Sequence, residues 1–131
     1  ESGGAEEQRF VHLQGDDGTR ALLELRSTEA GWYGDVFAHF GDQERFLNDP
    51  GKLHPHDQWH SLALIYTGSE LRQAVNGAIE LTGSLGPGVL GEGVVSIGMR
   101  LNRISPFKGR IAEVRLTRRA LEADALLRPP S

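Results

Sequence analysis

The sequence predicts an all-β domain built from two stacked antiparallel sheets. Short runs of alternating apolar and polar residues recur along the chain, and clusters rich in Gly, Asp, Asn and Pro separate them. This is the pattern of strands joined by turns. Asn76-Gly77 lies between two such runs, and Asn-Gly is a strong hairpin signal. Strands that are apolar on one face bury it well as a two-sheet sandwich.

The N-terminal third of the chain contains four predicted strands. The first covers residues 9–14, and the segment Gly15-Asp16-Asp17-Gly18 then turns the chain because Asp and Gly tolerate positive φ. Residues 20–26 and 35–40 alternate clearly, and a weaker strand covers residues 44–47. Within residues 20–26, Leu23 and Leu25 occupy one face and Leu22, Glu24 and Arg26 the other. Within residues 35–40, Val36, Ala38 and Phe40 alternate with Asp35, Phe37 and His39.

The strongest predicted strand covers residues 59–66 and is apolar on both faces. We therefore expect it to lie centrally in its sheet, with Trp59 at its start in the core. Residues 70–75 and 78–82 form the Asn-Gly hairpin, and the Gly-rich stretch 84–93 is predicted to be a loop. The remaining elements are strands at 94–100 and 110–117 and a short C-terminal helix within 118–127, before Pro129-Pro130.

Length and composition indicate one globular domain over residues 1–131. The chain is 38% hydrophobic and 24% charged, which suits a single buried core. The absence of cysteine excludes disulfides, thiolate metal sites and cysteine nucleophiles. No apolar run approaches the roughly 20 residues that cross a bilayer, and residues 1–7 lack a signal-peptide pattern. Membrane insertion is therefore not predicted.

The net charge of −4 is distributed unevenly. Residues 1–99 carry −9, whereas residues 100–119 carry +6. A basic segment attracts phosphate, sulfate or carboxylate groups. We favour the interpretation that it neutralises the acidic strands beside it, and we predict no nucleic-acid partner.

Six short motifs in the second half of the chain carry a family resemblance. The motifs are WHSLALIY at 59–66, GSELR at 68–72, VNG at 75–77, VSIG at 95–98, FKGRIAEVRL at 107–116 and RAL at 119–121. In this order they resemble the concanavalin-A-like, laminin-G-like jelly-roll domains of bacterial exported or surface proteins. The resemblance implies a jelly-roll sandwich and an extracellular, cell-surface or periplasmic location. It also implies a non-catalytic carbohydrate-binding or adhesion module of an exported multidomain protein, with a glycan or polysaccharide as partner.

The start of the chain departs from this family pattern. Similar domains usually begin with another strand or two, including one of the type apolar-x-apolar-x-Trp, before the segment matching residues 9–14. Two interpretations stay open: the domain lacks its first strand and obtains it elsewhere, or the sandwich is shorter. An exposed sheet edge favours a protein partner or a homo-oligomer. The alternative function is therefore a structural or assembly domain that pairs strands with a partner chain.

Glucanase activity is the third hypothesis, because glucanases share this sandwich. Their signature is a strand bearing Glu-x-Asp-x-x-Glu, which sets carboxylates on one face for acid and nucleophile roles. The nearest match is the segment at 24–29, where Arg26 stands in the position of the middle carboxylate. No Ser-His-Asp order, phosphate-binding loop or zinc-type spacing is present in the sequence either. We predict no enzyme and no catalytic residue.

A sugar-binding site is predicted around two adjacent aromatic residues. Trp32 and Tyr33 lie between Gly31 and Gly34, which suggests a loop, and an aromatic ring stacks on the apolar face of a pyranose. The alternative for Trp32 is a ring that caps the sandwich edge. The polar residues expected to bond the sugar hydroxyls are His39, Arg45, Asn102 and Arg103.

Calcium is the one cofactor that the resemblance raises. Related domains bind Ca²⁺ through loop carboxylates and backbone carbonyls, and Asp16 and Asp17 are the candidate ligands, although the turn itself also explains them. Asp35, Asp42 and Asp49 are further candidates. The histidines at 54, 56 and 60 are predicted to be surface residues rather than metal ligands.

Overall fold

The computed structural model describes residues 6–15, 18–86 and 93–97 together with Ile111, Glu113, Ala125 and Leu126. This part of the chain is all-β, as predicted. Its eight strands are β1 (Glu6–Gly15), β2 (Arg20–Ser27), β3 (Trp32–Phe40), β4 (Gln43–Asn48), β5 (Leu62–Tyr66), β6 (Glu70–Val75), β7 (Ala78–Ser84) and β8 (Gly93–Ile97).

The strands form two antiparallel sheets. One has the order β4-β3-β2-β1-β8 and the other the order β5-β6-β7. β1 lies between β2 and β8, and its register with β2 shifts between Arg9 and Val11. Consecutive strands pair within β1–β4 and within β5–β7, whereas β4 and β5, like β7 and β8, lie in different sheets. β8 returns to pair with β1, which is a long-range pairing.

The two sheets bury a common apolar core. Val36, Ala38 and Phe40 of β3 and Leu47 of β4 are buried with Leu71 of β6. We call the side of the larger sheet that carries these residues the core face. Val36, Ala38 and Phe40 share one side of β3, as alternation predicted, because residues two apart in a strand share a side. The core also contains Leu85 and is flanked by the partly buried Leu23, Leu64, Tyr66 and Leu81.

The Asn-Gly hairpin is confirmed. Asn76 and Gly77 have φ angles of 53° and 83°, and Val75 pairs with Ala78 across the two-residue turn. Positive φ at both central residues is the type I′ geometry that matches strand twist.

Three strands begin three residues away from their predicted starts. β1 begins at Glu6 rather than at Arg9. β3 begins at Trp32 rather than at Asp35. β5 begins at Leu62, so the prediction that Trp59 opens this strand in the core is wrong, and Trp59 is 43% exposed. The Asn76 side-chain oxygen accepts a hydrogen bond from the Ser61 N–H at 2.9 Å. The backbone donor just before β5 is therefore bonded to a side chain. Within the described order, β6 rather than β5 lies between two partners.

The remaining predicted elements fall mainly outside the described residues. These are most of the strand at 110–117 and of the helix at 118–127, as well as the loop at 87–92. Among the residues that the structure covers, no helix has the length and apolar character needed to cross a membrane.

Candidate functional site

The side of the larger sheet opposite the core face, which we call the outer face, is the candidate site. Alternation along paired strands assigns its members, because directly paired residues point to the same side. It carries three carboxylates, whereas the core face of the same strands carries none and is mainly apolar. From β2, β3 and β4 it carries Arg20, Leu22, Glu24, Arg26, Tyr33, Asp35, Phe37, His39, Glu44, Phe46 and Asn48.

Asp35 is the centre of a buried polar network on the outer face. It is 1% exposed. Its Oδ2 accepts from Arg26 Nε at 2.8 Å, and its Oδ1 accepts from Asn48 Nδ2 at 3.2 Å. Both carboxylate oxygens are therefore used to hold β2, β3 and β4 together.

Glu24 lies directly opposite Asp35 in the β2–β3 register and is also 1% exposed. Sequence reasoning missed this carboxylate pair because it searched for carboxylates on one strand, whereas these two meet across neighbouring strands. Cross-strand pairs bring side chains into contact. Alternation assigned Glu24 and Asp35 to a face of their own strands only, and the β2–β3 register is what brings the two faces together.

Phe46 forms an aromatic platform with Phe37 on the same face. Phe46 is 58% exposed, whereas Phe37 is 2% exposed. The two ring centroids are 4.4 Å apart with a 38° tilt. Arg20 Cζ lies 5.3 Å from the Phe37 centroid, a cation–π distance. The Phe46 platform, meaning Phe46 backed by Phe37, therefore presents one open ring on a rigid base.

Polar groups border the Phe46 platform. His39 Nε2 donates to the Gly41 carbonyl at 2.7 Å, and His39 Nδ1 lies 3.4 Å from Glu44 Oε2. The Glu44 side chain is 53% exposed, and Asn48 is exposed as well. An open apolar ring is thus flanked by carboxylate and amide groups that can reach a bound molecule.

Trp32 and Tyr33 do not lie in a loop, contrary to the prediction. Both belong to β3 and both are 7% exposed. Backbone hydrogen bonds join Trp32 and His54 in both directions, at 2.9 and 2.7 Å. The Trp32 ring packs against the imidazoles of His54 and His60 at centroid distances of 4.9 and 5.0 Å. This is the geometry of a ring that caps the sandwich edge.

The loop histidines are tied into the fold. His54 Nε2 lies 2.8 Å from Glu80 Oε2. His60 Nε2 donates to the Pro55 carbonyl at 2.9 Å, while His60 Nδ1 accepts from Asn76 Nδ2 at 3.1 Å. Both His60 nitrogens are therefore engaged within the protein, which leaves neither for a metal.

Arg45 is separated from His39. The register pairs Arg45 with Ala38 of the core face and His39 with Glu44 of the outer face. Arg45 donates from Nε to the Ser84 carbonyl at 3.0 Å and from Nη2 to Ser84 Oγ at 3.2 Å. It thus links β4 to β7 across the two sheets.

A shallow groove of about 550 Å³ lies at this junction. Gly86 N donates to Gln43 Oε1 at 2.8 Å there, and Tyr66 Oη donates to the Gly86 carbonyl at 2.6 Å. Its polar groups therefore bond one another across the sandwich, which makes the groove a structural seam. The groove is lined by Asp42, Gln43, Glu44, Arg45, Ser69, Ser84, Leu85 and Gly86.

The other predicted site residues lie outside the described part of the chain. Asn102 and Arg103 are among them, as are Asp16 and Asp17. Of the further calcium candidates, Asp49 accepts a hydrogen bond from the Gly51 N–H at 2.9 Å. The two carboxylate oxygens of Asp35 accept hydrogen bonds from Arg26 and Asn48. Within the described residues, no three His, Asp or Glu side chains are grouped to hold a metal.

Comparison with known proteins identifies the family. Residues 1–126 match a laminin-G-type family model described as the concanavalin A-like lectin/glucanases superfamily. No curated protein and no solved structure matches the chain significantly. The match covers nearly the whole sequence and agrees with the two-sheet architecture and with the resemblance seen in the motifs. The chain belongs to the concanavalin A-like lectin/glucanases superfamily.

Proposed function

We propose that this domain is a non-catalytic carbohydrate-binding or adhesion module of an exported multidomain protein. The observation that carries the proposal is the Phe46 platform on the outer face. Phe46 is the most exposed of the large hydrophobic residues that the structure describes, and an exposed aromatic ring stacks on the apolar face of a sugar.

The groups around the platform support recognition of hydroxyls. Glu44 accepts hydrogen bonds, Asn48 both donates and accepts, and the Arg20 guanidinium donates. Of the residues predicted from sequence, His39 lies in this group, next to Glu44. A sugar stacked on the Phe46 ring would therefore have hydrogen-bonding side chains of the protein near its hydroxyl groups.

The buried Glu24–Asp35 pair of the outer face argues against hydrolysis. A glycosidase needs one carboxylic acid and one carboxylate that both reach the scissile bond. Glu24 and Asp35 are each 1% exposed, and both oxygens of Asp35 are bonded to Arg26 and Asn48. In our proposal, Glu24 and Asp35 therefore stabilise the fold and do not cleave a glycosidic bond.

A glycan array followed by calorimetry tests the binding site. The glycan with the strongest array signal is titrated into the parent, Phe46→Ala and the matched control Ile79→Ala, in which an exposed apolar residue of the other sheet is truncated. We expect Phe46→Ala to weaken binding at least about tenfold, because it removes the stacking ring. Ile79→Ala should bind as the parent does.

Two results would contradict the proposal. Equal glycan affinity of Phe46→Ala and the parent would reject the Phe46 platform as the binding site. If a folded Trp32→Phe variant loses glycan affinity instead, the site would be assigned to Trp32. A parent chain that binds no glycan but releases reducing sugar from β-glucans, with the release abolished in Asp35→Asn, would favour the glucanase alternative.

A further inference from the structure

The Asn76-Gly77 turn combines a structural role with a reactive pair of residues. The Gly77 backbone nitrogen carries no neighbouring side chain that would hinder its attack on Asn76 Cγ. The N–Cγ bond that forms closes a five-membered succinimide ring. The Cγ–Nδ2 bond breaks, and ammonia leaves with the proton of the Gly77 nitrogen. Water then hydrolyses the ring to aspartate or isoaspartate, so the net reaction is deamidation.

The conformation of the turn keeps the two reacting atoms apart. Asn76 has a φ of 53°, and ψ at the first central residue of a type I′ turn is about 30°. At that ψ the Gly77 nitrogen lies nearly opposite Asn76 Cβ across the Cα–C bond, whereas ring closure needs both on the same side. The required rotation swings β7 away from β6. The succinimide therefore forms only after the hairpin opens.

Three hydrogen bonds hold Asn76 to the segment that leads into β5. Its backbone N–H donates to the Ser61 carbonyl at 2.9 Å, and its Oδ1 accepts from the Ser61 N–H at 2.9 Å. Its Nδ2 donates to His60 Nδ1 at 3.1 Å. A carboxamide held at both ends resists the reorientation that ring closure needs, because these bonds must first be given up.

Strand pairing and burial oppose opening of the hairpin. Val75 pairs with Ala78 across the turn and with Leu62 of β5 on its other side. Val75 is 2% exposed and Ala74 is 1% exposed. Opening the hairpin would bring these apolar side chains into water, so the open form is a minor population of the folded domain.

We propose that Asn76 is a latent deamidation site that the native turn protects, with His60 and Ser61, and that reacts only when the β6–β7 hairpin opens. Aspartate at this position lacks the donor to His60 Nδ1. Isoaspartate adds one carbon to the backbone of a two-residue turn, so Val75 and Ala78 no longer pair in the native register. Deamidation thus leaves a permanent record of opening. The proposal is independent of carbohydrate binding.

Peptide mapping by mass spectrometry tests the protection. The parent is incubated at mildly alkaline pH, once folded and once unfolded in guanidinium chloride, and is then digested with trypsin. The peptide 73–100, which Arg72 and Arg100 delimit, contains Asn76 as its one asparagine. We expect deamidation of this peptide to be at least about tenfold slower in the folded parent, because the rate follows the population of the open form.

A pair of histidine variants tests the contact with Asn76. His60→Ala removes the partner of Nδ2 and should accelerate deamidation of the folded domain about twofold to tenfold. Its rate in guanidinium chloride should equal that of the parent. The matched control is His56→Ala, which loses a bond from His56 Nε2 to the Thr28 carbonyl at 2.7 Å, away from the turn. It should react as the parent does in both conditions.

Two results would overturn the proposal. A folded parent that deamidates as fast as the unfolded chain would show that the turn does not protect Asn76, and a faster folded parent would show that Ser61 and His60 promote the reaction. Equal rates for folded His60→Ala and the parent would remove His60 from the protection. Thermal unfolding checks each variant, and if His60→Ala is unfolded, the comparison of folded and unfolded parent decides alone.

Discussion

The two faces of the larger sheet are built from the same strands but use different chemistry. On the core face of β3, Val36 and Ala38 are fully buried among apolar neighbours. On the outer face, Asp35 and Phe37 are buried almost as completely. Burial therefore does not distinguish the faces. The core face is held by non-directional apolar contact, whereas Asp35 depends on two specific hydrogen-bond donors.

The largest expected effect is a cavity on the core side. Leu71 is fully buried in the core, whereas Ile79 is 40% exposed. Leu71→Ala should lower the free energy of unfolding by about 2–5 kcal/mol, since it loses apolar burial and leaves a void. Ile79→Ala, the matched control, should cost under about 1 kcal/mol. Urea unfolding measures both, and similar values for the two variants would contradict the assigned core.

An intermediate effect is expected at the outer-face network. Asp35→Ala removes the acceptor for Arg26 and Asn48, and hydrogen bonds to a charged group contribute about 1.5–3 kcal/mol. Asp35→Asn keeps one acceptor oxygen and should lose less stability. The same urea titration compares them. If Asp35→Ala is as stable as the parent, the outer face does not depend on this network.

The smallest effect on stability is expected at Phe46. Because this ring is 58% exposed, Phe46→Ala should change the free energy of unfolding by under about 1 kcal/mol. The same substitution should abolish most of the binding that we propose for the platform. Thermal unfolding and calorimetry on one preparation separate the two effects, and a large loss of stability would show that Phe46 serves the fold instead.

The alternation of apolar and polar residues was sufficient to predict which residues of a strand share a side. Val36 and Asp35 were assigned to opposite sides from alternation alone, and the register confirms them. The Asn76-Gly77 turn was also predictable, because its geometry depends on two adjacent residues that tolerate positive φ.

The candidate site was less predictable. Arg45 and His39 were expected to serve one site, but pairing across the β3–β4 hairpin sets them on opposite faces. Antiparallel alternation of these two strands could have shown this. The burial of Trp32 could not have been predicted in the same way, because His54 and His60 come from a distant loop.

The sequence by itself determined the class of the fold, the alternation of its strands and the tight hairpin, because these depend on neighbouring residues. Only the tertiary structure decided which aromatic rings are open. It covered Trp32 with loop histidines, left Phe46 and Trp59 exposed, and joined Glu24 and Asp35 across two strands. The physical reason is that exposure depends on which distant segments pack together, and no local periodicity encodes that.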